Sequence, residues 1–327
     1  MNAFEWANAA SVDDAVKLLA TDATGDPDEM PRPMGGGQDL LTTMKGYITR
    51  PSRVVNLKTI GGLNGVAAGG DGSLRIGALV TITQLAEHPA IVKSFTGLAE
   101  AAHAIATPQI RNLGTVGGNL GQRPRCWYFR LDGVQCLKKG GTDCYAKDGE
   151  NKYHAIFASD GPCVITHPSD LAPMLTALGA TVAVTGPGGP RMIPVARFFH
   201  LPADGSVRTE NVLADGDVIT EVVVAPPAGR STYLKFKERE SLDFAMASVA
   251  AVVSPGKVSL VLGGVAPIPW RCEKAEAFLA GKKLDEATIA QAAILATDGA
   301  KPLAKNGYKV PLTQALVRRA LTKLATA

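Results

Sequence analysis

Between Ser11 and Ala20 the apolar residues Val12, Ala15, Val16, Leu18 and Leu19 recur at helical spacing behind a Ser/Asp start, which predicts a first helix. Pro31 to Met34 can only be short and extended, Gly35-Gly36-Gly37 must turn, and Gln38 to Met44 returns to a helical pattern. A strand that enters a glycine turn opening a helix is a phosphate-binding arrangement. Val54 to Leu57 and Leu74 to Ala78 predict strands, and Thr83 to Glu87 predicts a short helix. Leu98 to Ala106 reads as a helix of small residues that Pro108 prevents from simply continuing. From Gly121 to Gly161 the periodicity lapses into basic residues, aromatics, glycines and cysteines, and so long an irregular stretch is usually functional or disordered.

Regular patterning resumes with a helix over Leu171 to Leu178 and a strand over Thr181 to Thr185. The turn Pro187-Gly188-Gly189-Pro190 leads to a unit ending near Val224, and Pro226-Pro227 is the best linker candidate. Beyond it, Thr232 to Phe236, Ala247 to Val253 and Val258 to Gly263 predict three strands. Glu273 to Ala280, Asp285 to Ala296 and Pro311 to Leu324 predict three helices. The order of elements predicts a mixed α/β, α+β chain.

A chain of 327 residues exceeds the usual single-domain size, so two or three domains are expected and no staples are needed to fold it. With 46% hydrophobic and 20% charged residues it is an ordinary globular composition. The net charge of +4 falls short of the basicity of a nucleic-acid binder. No apolar run is long enough to span a bilayer, and no signal peptide is visible at Met1 to Trp6. Export alongside a signal-bearing partner would leave no trace in this chain, so both the cytoplasm and the periplasm stay open.

Two glycine clusters stand out, Gly35-Gly36-Gly37-Gln38-Asp39 and Gly114-Thr115-Val116-Gly117-Gly118-Asn119. Glycine lets backbone approach a ligand, and successive free amides suit a pyrophosphate. Neither cluster has the Rossmann spacing, and there is no Gly-Lys-Ser/Thr of a P-loop. Four of the five cysteines follow the second cluster with the spacing Cys126-x9-Cys136-x7-Cys144-x18-Cys163. That spacing is neither a zinc ribbon nor a common ferredoxin run, so it suggests soft-metal or redox chemistry without naming the metal. Cys272 stands apart, as a small apolar residue would.

Taken in order, Gly35 to Leu41, Leu74 to Ala78, Arg111 to Leu120, His167-Pro168-Ser169-Asp170-Leu171-Ala172-Pro173 and Leu262-Gly263-Gly264-Val265-Ala266-Pro267 carry a resemblance. The chain resembles the FAD-binding medium subunit of the xanthine dehydrogenase family of molybdenum hydroxylases. The resemblance implies a two-part FAD-binding domain of the PCMH type over residues 1–226, with subdomains of about 1–57 and 58–226 and a cysteine-bearing insertion at 121–165. A CO-dehydrogenase-flavoprotein-like domain of three antiparallel strands and a three-helix bundle would follow over 227–327. It further implies that Arg32, Pro33, Met34, Gly35, Gly36, Gly37, Gln38, Asp39 and Leu40 wrap the FAD diphosphate. Thr107, Gly114, Thr115, Gly117, Gly118 and Asn119 would complete the cradle. Asp170 would bond the ribityl or flavin side, and Lys235 would lie near the isoalloxazine. By local propensity alone, Asp170 is a helix cap and Lys235 a solvated strand residue.

One branch of that family carries four cysteines ligating an additional [4Fe-4S] cluster, as in bacterial periplasmic aldehyde oxidoreductases and 4-hydroxybenzoyl-CoA reductase. Cys126, Cys136, Cys144 and Cys163 fall where that insertion belongs, and Arg123, Arg125, Arg130, Lys138, Lys139, Lys147 and Lys152 surround them in sequence to offset thiolate charge. The expected function is an electron-transfer subunit of a molybdenum-dependent aldehyde oxidoreductase. It would work in a heterotrimer with a large molybdenum-cofactor subunit and a small [2Fe-2S] subunit and deliver electrons to an external acceptor. The alternatives are a 4-hydroxybenzoyl-CoA-reductase-like flavoprotein, a zinc-stabilised FAD-binding scaffold and a free-standing flavin reductase. The five histidines are scattered and default to structural roles, and His167 beside Ser169 and Asp170 lacks the nucleophile elbow of a hydrolase.

Overall fold

The computed structural model describes residues 1–20 and 26–326. A small parallel sheet opens the chain: β1 (Glu5–Asn8), β2 (Arg32–Met34) and β3 (Arg53–Asn56) pair in the order β1-β3-β2. The helix Val12–Ala20 covers it, burying Ala15, Val16 and Leu19 with Val55 and Leu57. Its start is fixed as its sequence suggests, since the Ser11 hydroxyl accepts from the Asp14 amide and the Asp14 carboxylate accepts from the Ala10 amide. β1 escapes sequence reading because it lies at an edge and is largely exposed, so its residues do not alternate.

The central sheet is antiparallel. It contains β4 (Val66–Ala68), β5 (Leu74–Gly77), β6 (Thr181–Gly186), β7 (Gly189–Pro194) and β8 (Val218–Val224) in the order β4-β5-β8-β6-β7. The glycine-proline turn after β6 makes the hairpin to β7, whose residues are partly or fully exposed at the sheet edge. The helices Thr96–His103 and Leu171–Ala177 pack against the C-terminal strands at 230–236, 247–254 and 257–263. Their apolar side chains belong to one core that runs from Ile76 and Val222 to Tyr233, Ala250 and Val261. Helix Leu171–Ala177 is buried along its whole length for this reason.

The third sheet is an antiparallel meander of β9 (Arg230–Phe236), β10 (Ala247–Ser254), β11 (Lys257–Gly263) and β12 (Trp270–Arg271). The two-residue β12 is a fourth strand beyond the three expected, too short to leave a periodic signal. Helices Glu273–Leu279, Glu286–Leu295 and Lys309–Thr326 pack on its other face with a separate core that includes Val249, Leu260, Leu279, Val317 and Leu321. Pro311 falls in the first turn of the last helix, where a missing N–H costs nothing. Pro108 similarly begins a new helix, Pro108–Leu113, rather than only ending the preceding one.

Residues 121–165 contain only the short helix Trp127–Arg130 and a 3₁₀ turn at Leu137–Lys139. The stretch is nonetheless held on both sides. Ile156 and Phe157 enter the C-terminal core and donate their amides to the Val265 carbonyl. The turn at 303–309 binds residues 151–155 almost one by one. The Lys305 amide donates to Asn151, Asn306 donates to the carbonyls of His154 and Ala155, Tyr308 donates to Lys152 O, and Lys309 donates to Tyr153 O.

Candidate cofactor-binding site

The two glycine clusters, far apart in sequence, touch in space. A Cβ built on Gly36 would lie 1.9 Å from the Leu113 carbonyl oxygen, so only glycine permits this approach. Gly37 takes a φ of 71°, which turns the chain from β2 into the helix Leu40–Lys45. Thr115 accepts from the Gly118 amide at 3.2 Å and Thr107 accepts from Ile110 at 3.4 Å, each capping the short helix that follows it. Gly117 is buried, its amide bonded to Ala78 O, whereas Gly118 is exposed. Among the described residues, the amides of Gly35, Gly36, Gly37 and Gln38 donate to no protein group. Unpaired donors beside a second glycine bend form an anion cradle, so the residues present fit a pyrophosphate.

Within the first cluster, Arg32 and Asp39 turn elsewhere. Arg32 bonds Pro27 O at 2.6 Å, and burial holds its guanidinium below the usual range. Asp39 occupies the cap position of its helix without capping it. Its carboxylate instead accepts from the Arg123 amide at 2.7 Å and pairs with Arg125 and Arg130 at 2.9 and 2.8 Å. It therefore ties the first glycine loop to the start of the cysteine-bearing stretch. Met34 packs in a small cluster with Met44 and Val54, while Pro33 is exposed and Leu40 half-buried.

Asp170 is also at a helix cap position, yet the capping is done by its neighbour: the Ser169 hydroxyl accepts from the Ala172 amide at 3.0 Å. The Asp170 carboxylate accepts from the Tyr233 hydroxyl at 2.6 Å and pairs with Lys235 at 2.7 Å. Lys235, only 3% exposed, also reaches Ala104 O, so it is neither solvated nor free. Burial first, and then the Asp170 charge, drive the Tyr233 hydroxyl well above its ordinary pKa, so it stays a donor. Asn119 Oδ1 accepts from Ser169 Oγ at 2.5 Å, which joins the second glycine bend to this buried network.

Ser169 and Asp170 line a cleft of about 240 Å³ together with Arg125, Trp127, Tyr153, His167 and Phe244. Arg125 lies over the Phe244 ring at 4.8 Å, and burial lowers its pKa to about 10. Burial takes His167 down to about 3, assisted by Arg125, so its imidazole is neutral. Its Nδ1 accepts from the Ser169 amide at 3.4 Å and its ring meets Phe199 edge-on, a structural histidine rather than a hydrolase base. Asp243 also borders the cleft, its carboxylate accepting backbone amides at 238, 239 and 244.

The four expected thiols do meet. Cys126, Cys136, Cys144 and Cys163 line one cavity of about 10 Å³, room for about one water, together with Lys138 and His154. Among the described residues, no group of three or more His, Cys, Asp or Glu side chains converges as ligands of one metal ion. Within the cavity Cys163 donates to Cys144. That bond pulls Cys144 down to about 6, and Cys163 is pushed up to match. Burial raises Cys126 to about 11. Cys272 lies elsewhere, buried in the C-terminal core with its thiol 3.7 Å from Ala296 O.

The basic residues that surround the cysteines in sequence do not all face them. Arg123, Arg125 and Arg130 serve Asp39 and Glu210, Lys139 reaches Leu131 O, and Lys152 pairs with Glu238. Lys138 borders the thiols and forms a buried pair with Glu210. Sequence reasoning missed Glu210, Tyr233 and His154. His154 Nε2 lies 3.2 Å from Cys126 Sγ, and burial, with Lys309 adding, lowers its pKa to about 4. Their signals were absent because each acts through partners tens of positions away.

Comparison with known proteins agrees with this geometry. The family model described as the FAD binding domain in molybdopterin dehydrogenase matches residues 2–227, and the CO dehydrogenase flavoprotein C-terminal domain matches residues 231–324. The aldehyde oxidoreductase FAD-binding subunit PaoB of Escherichia coli (strain K12) is 39% identical over 250 residues, 75% of this chain and 78% of that relative. The nicotine 6-hydroxylase medium subunit of Paenarthrobacter nicotinovorans is 29% identical over 98% of this chain and 97% of its own. Among solved structures, a chain of carbon monoxide dehydrogenase from Hydrogenophaga pseudoflava superposes with a TM-score of 0.76 at 26% identity, covering 99% of this chain and 98% of that one. A chain of quinoline 2-oxidoreductase from Pseudomonas putida 86 shares the fold, with a TM-score of 0.76 at 24% identity and the same coverage.

Proposed function

The chain belongs to the FAD-binding subunits of the molybdenum hydroxylases, and from that premise we propose that it is the electron-transfer subunit of a molybdenum-dependent aldehyde oxidoreductase, carrying FAD and a [4Fe-4S] cluster. The observation that carries this reading is a shared wall: Cys126 and His154 border both the thiol cavity and the cleft that Asp170 lines. A flavin exchanges two electrons or one, whereas an iron-sulfur cluster exchanges one at a time, so the pair suits conversion between the two.

The chain's own residues position and insulate. The free amides of Gly35 to Gln38, with the bend at Gly114 to Gly118, would hold the diphosphate of FAD. Asp170, fixed by Tyr233 and Lys235, would accept from a ribityl or flavin donor with its remaining lone pairs. Cys126, Cys136, Cys144 and Cys163 would hold the cluster. They sit in turns and at the ends of short helical pieces, and the present void between them is water-sized, so seating a cluster requires those turns to spread. Four thiols around one void are a soft-metal donor set of the number that a [4Fe-4S] cluster takes. Aldehyde as the substrate of the complex follows the Escherichia coli relative.

The remaining partners are a large molybdenum-cofactor subunit and a small [2Fe-2S] subunit in a heterotrimer, with an external acceptor taking electrons from this chain. Coexpression with its genetic neighbours followed by aldehyde addition tests the reading. The three chains should elute together, and aldehyde should bleach the flavin band. A chain that elutes alone and whose flavin is bleached only by NADH would contradict it.

A further inference from the structure

We infer that His154 is a positioning residue of the thiol centre: its Nε2–H donates to the Cys126 sulfur and holds the reduction potential of a cluster bound there above the value the thiolates alone would set. The inference rests on the cluster proposed above and concerns one side chain that the resemblance did not single out.

A cysteine sulfur that ligates iron has lost its proton and can only accept, so a nitrogen 3.2 Å away must donate. Among the described residues His154 Nδ1 is buried with no partner, so it offers no competing site that would draw the single proton of a neutral ring away from Nε2. An imidazolium would carry the Nε2 proton as well, so the donor survives in either protonation state.

The residue is held in place through its backbone and beside its ring. The His154 amide donates to Asn151 O at 3.0 Å, its carbonyl accepts from Asn306 at 3.1 Å, and its ring centroid lies 6.3 Å from that of Trp127. Asn151 and Asn306 are themselves fully buried. Such a frame costs several buried polar groups and gives His154 a fixed aim at Cys126. A hydrogen bond to a ligating sulfur withdraws electron density and favours the reduced cluster, one of the levers that set iron-sulfur potentials. His154 also lines the cleft, so the tuned ligand is the one that faces it.

The experiment is an EPR-monitored redox titration of the anaerobically purified complex with the wild-type chain, His154→Leu and His154→Gln. Gln presents an amide N–H near the position of Nε2, whereas Leu fills the space without a donor. In His154→Leu, reduction of the cluster should become roughly tenfold less favourable, a fall of about 59 mV for a one-electron couple. His154→Gln should recover most of that shift. Equal potentials in wild type and His154→Leu, or a Gln variant that falls as far as Leu, would overturn the inference while leaving the cluster reading intact. Should His154→Leu fail to retain iron, the Gln variant decides: a wild-type potential supports the donor role, and a lowered potential or lost cluster overturns it. A wild-type chain without any iron-sulfur signal would remove both the cluster reading and this one.

Discussion

Arg130 donates to the Asp39 carboxylate at 2.8 Å across ninety-one positions of sequence. With Arg125 and the Arg123 amide on the same carboxylate, one side chain of the first glycine loop secures the opening of the cysteine-bearing stretch. Asp39→Asn keeps an acceptor but removes the charge that the arginines neutralise. Hydrogen bonds to charged groups contribute about 1.5–3 kcal/mol, so the chain should lose about that much stability in urea unfolding. Limited proteolysis should cut first between residues 121 and 165, and an unchanged cleavage pattern would refute the latch.

The contact between the glycine bends predicts that Gly36→Ala separates them, because the new methyl has no space beside the Leu113 carbonyl. FAD content per chain, read from the flavin band after gel filtration, should fall severalfold. Gly188→Ala, where a Cβ meets nothing within 4 Å, is the matched control and should retain flavin.

Glu210 is a buried carboxylate set between Lys138 and Arg123, with side-chain exposures of 3% for Glu210 and 1% for Lys138. Glu210→Ala would strand the ammonium that borders the thiols. Breaking a buried pair in this way costs about 3–5 kcal/mol, so the melting temperature should drop sharply. A loss no greater than that of an exposed pair, such as Lys274 with Asp298, would show that Lys138 finds other compensation.

Lys309 is fully buried and donates to the carbonyls of Tyr153 and Gly264, and burial lowers its pKa to about 7. Below pH 7 both the folded and unfolded chains carry its proton, and the folded state bears the full desolvation penalty. Between pH 7 and the ordinary lysine value of 10.5 the unfolded chain binds more protons, so stability should rise with pH. The slope contributed by this group is at most about 1.4 kcal/mol per pH unit. Urea midpoints measured from pH 6 to 9 should show that rise in the parent and lose it in Lys309→Met.

Much of this architecture is legible in the chain itself. The strands β9, β10 and β11 and the helix Val12–Ala20 lie where apolar periodicity puts them, because each buries one face or a whole short run. β1, β7 and β12 are not legible, since edge strands and two-residue strands carry little alternation. At the site, the glycine clusters marked the two bends that meet, and the cysteine cluster marked the thiols that share a cavity. The side chain of Asp170 reads locally as a helix cap, yet it turns to a distant cation, and Asp39 at the start of its own helix does the same. Tertiary electrostatics outweighed local capping there, and no window of sequence contains both partners. His154 was hidden for the same reason, twenty-eight positions from the sulfur that it touches.

What the four thiols lining the cavity hold is the decisive question. Iron, acid-labile sulfide, zinc and flavin should be quantified on the anaerobically purified complex, in the parent and in single Cys→Ser variants at 126, 136, 144 and 163. Against a Cys272→Ser control, with the partner subunits' own iron subtracted, the parent should hold about four iron, about four sulfide and about one FAD per chain. Each of the four variants should lose that iron and sulfide while Cys272→Ser keeps them. Stoichiometric zinc, or iron content indifferent to these four positions, would contradict the account.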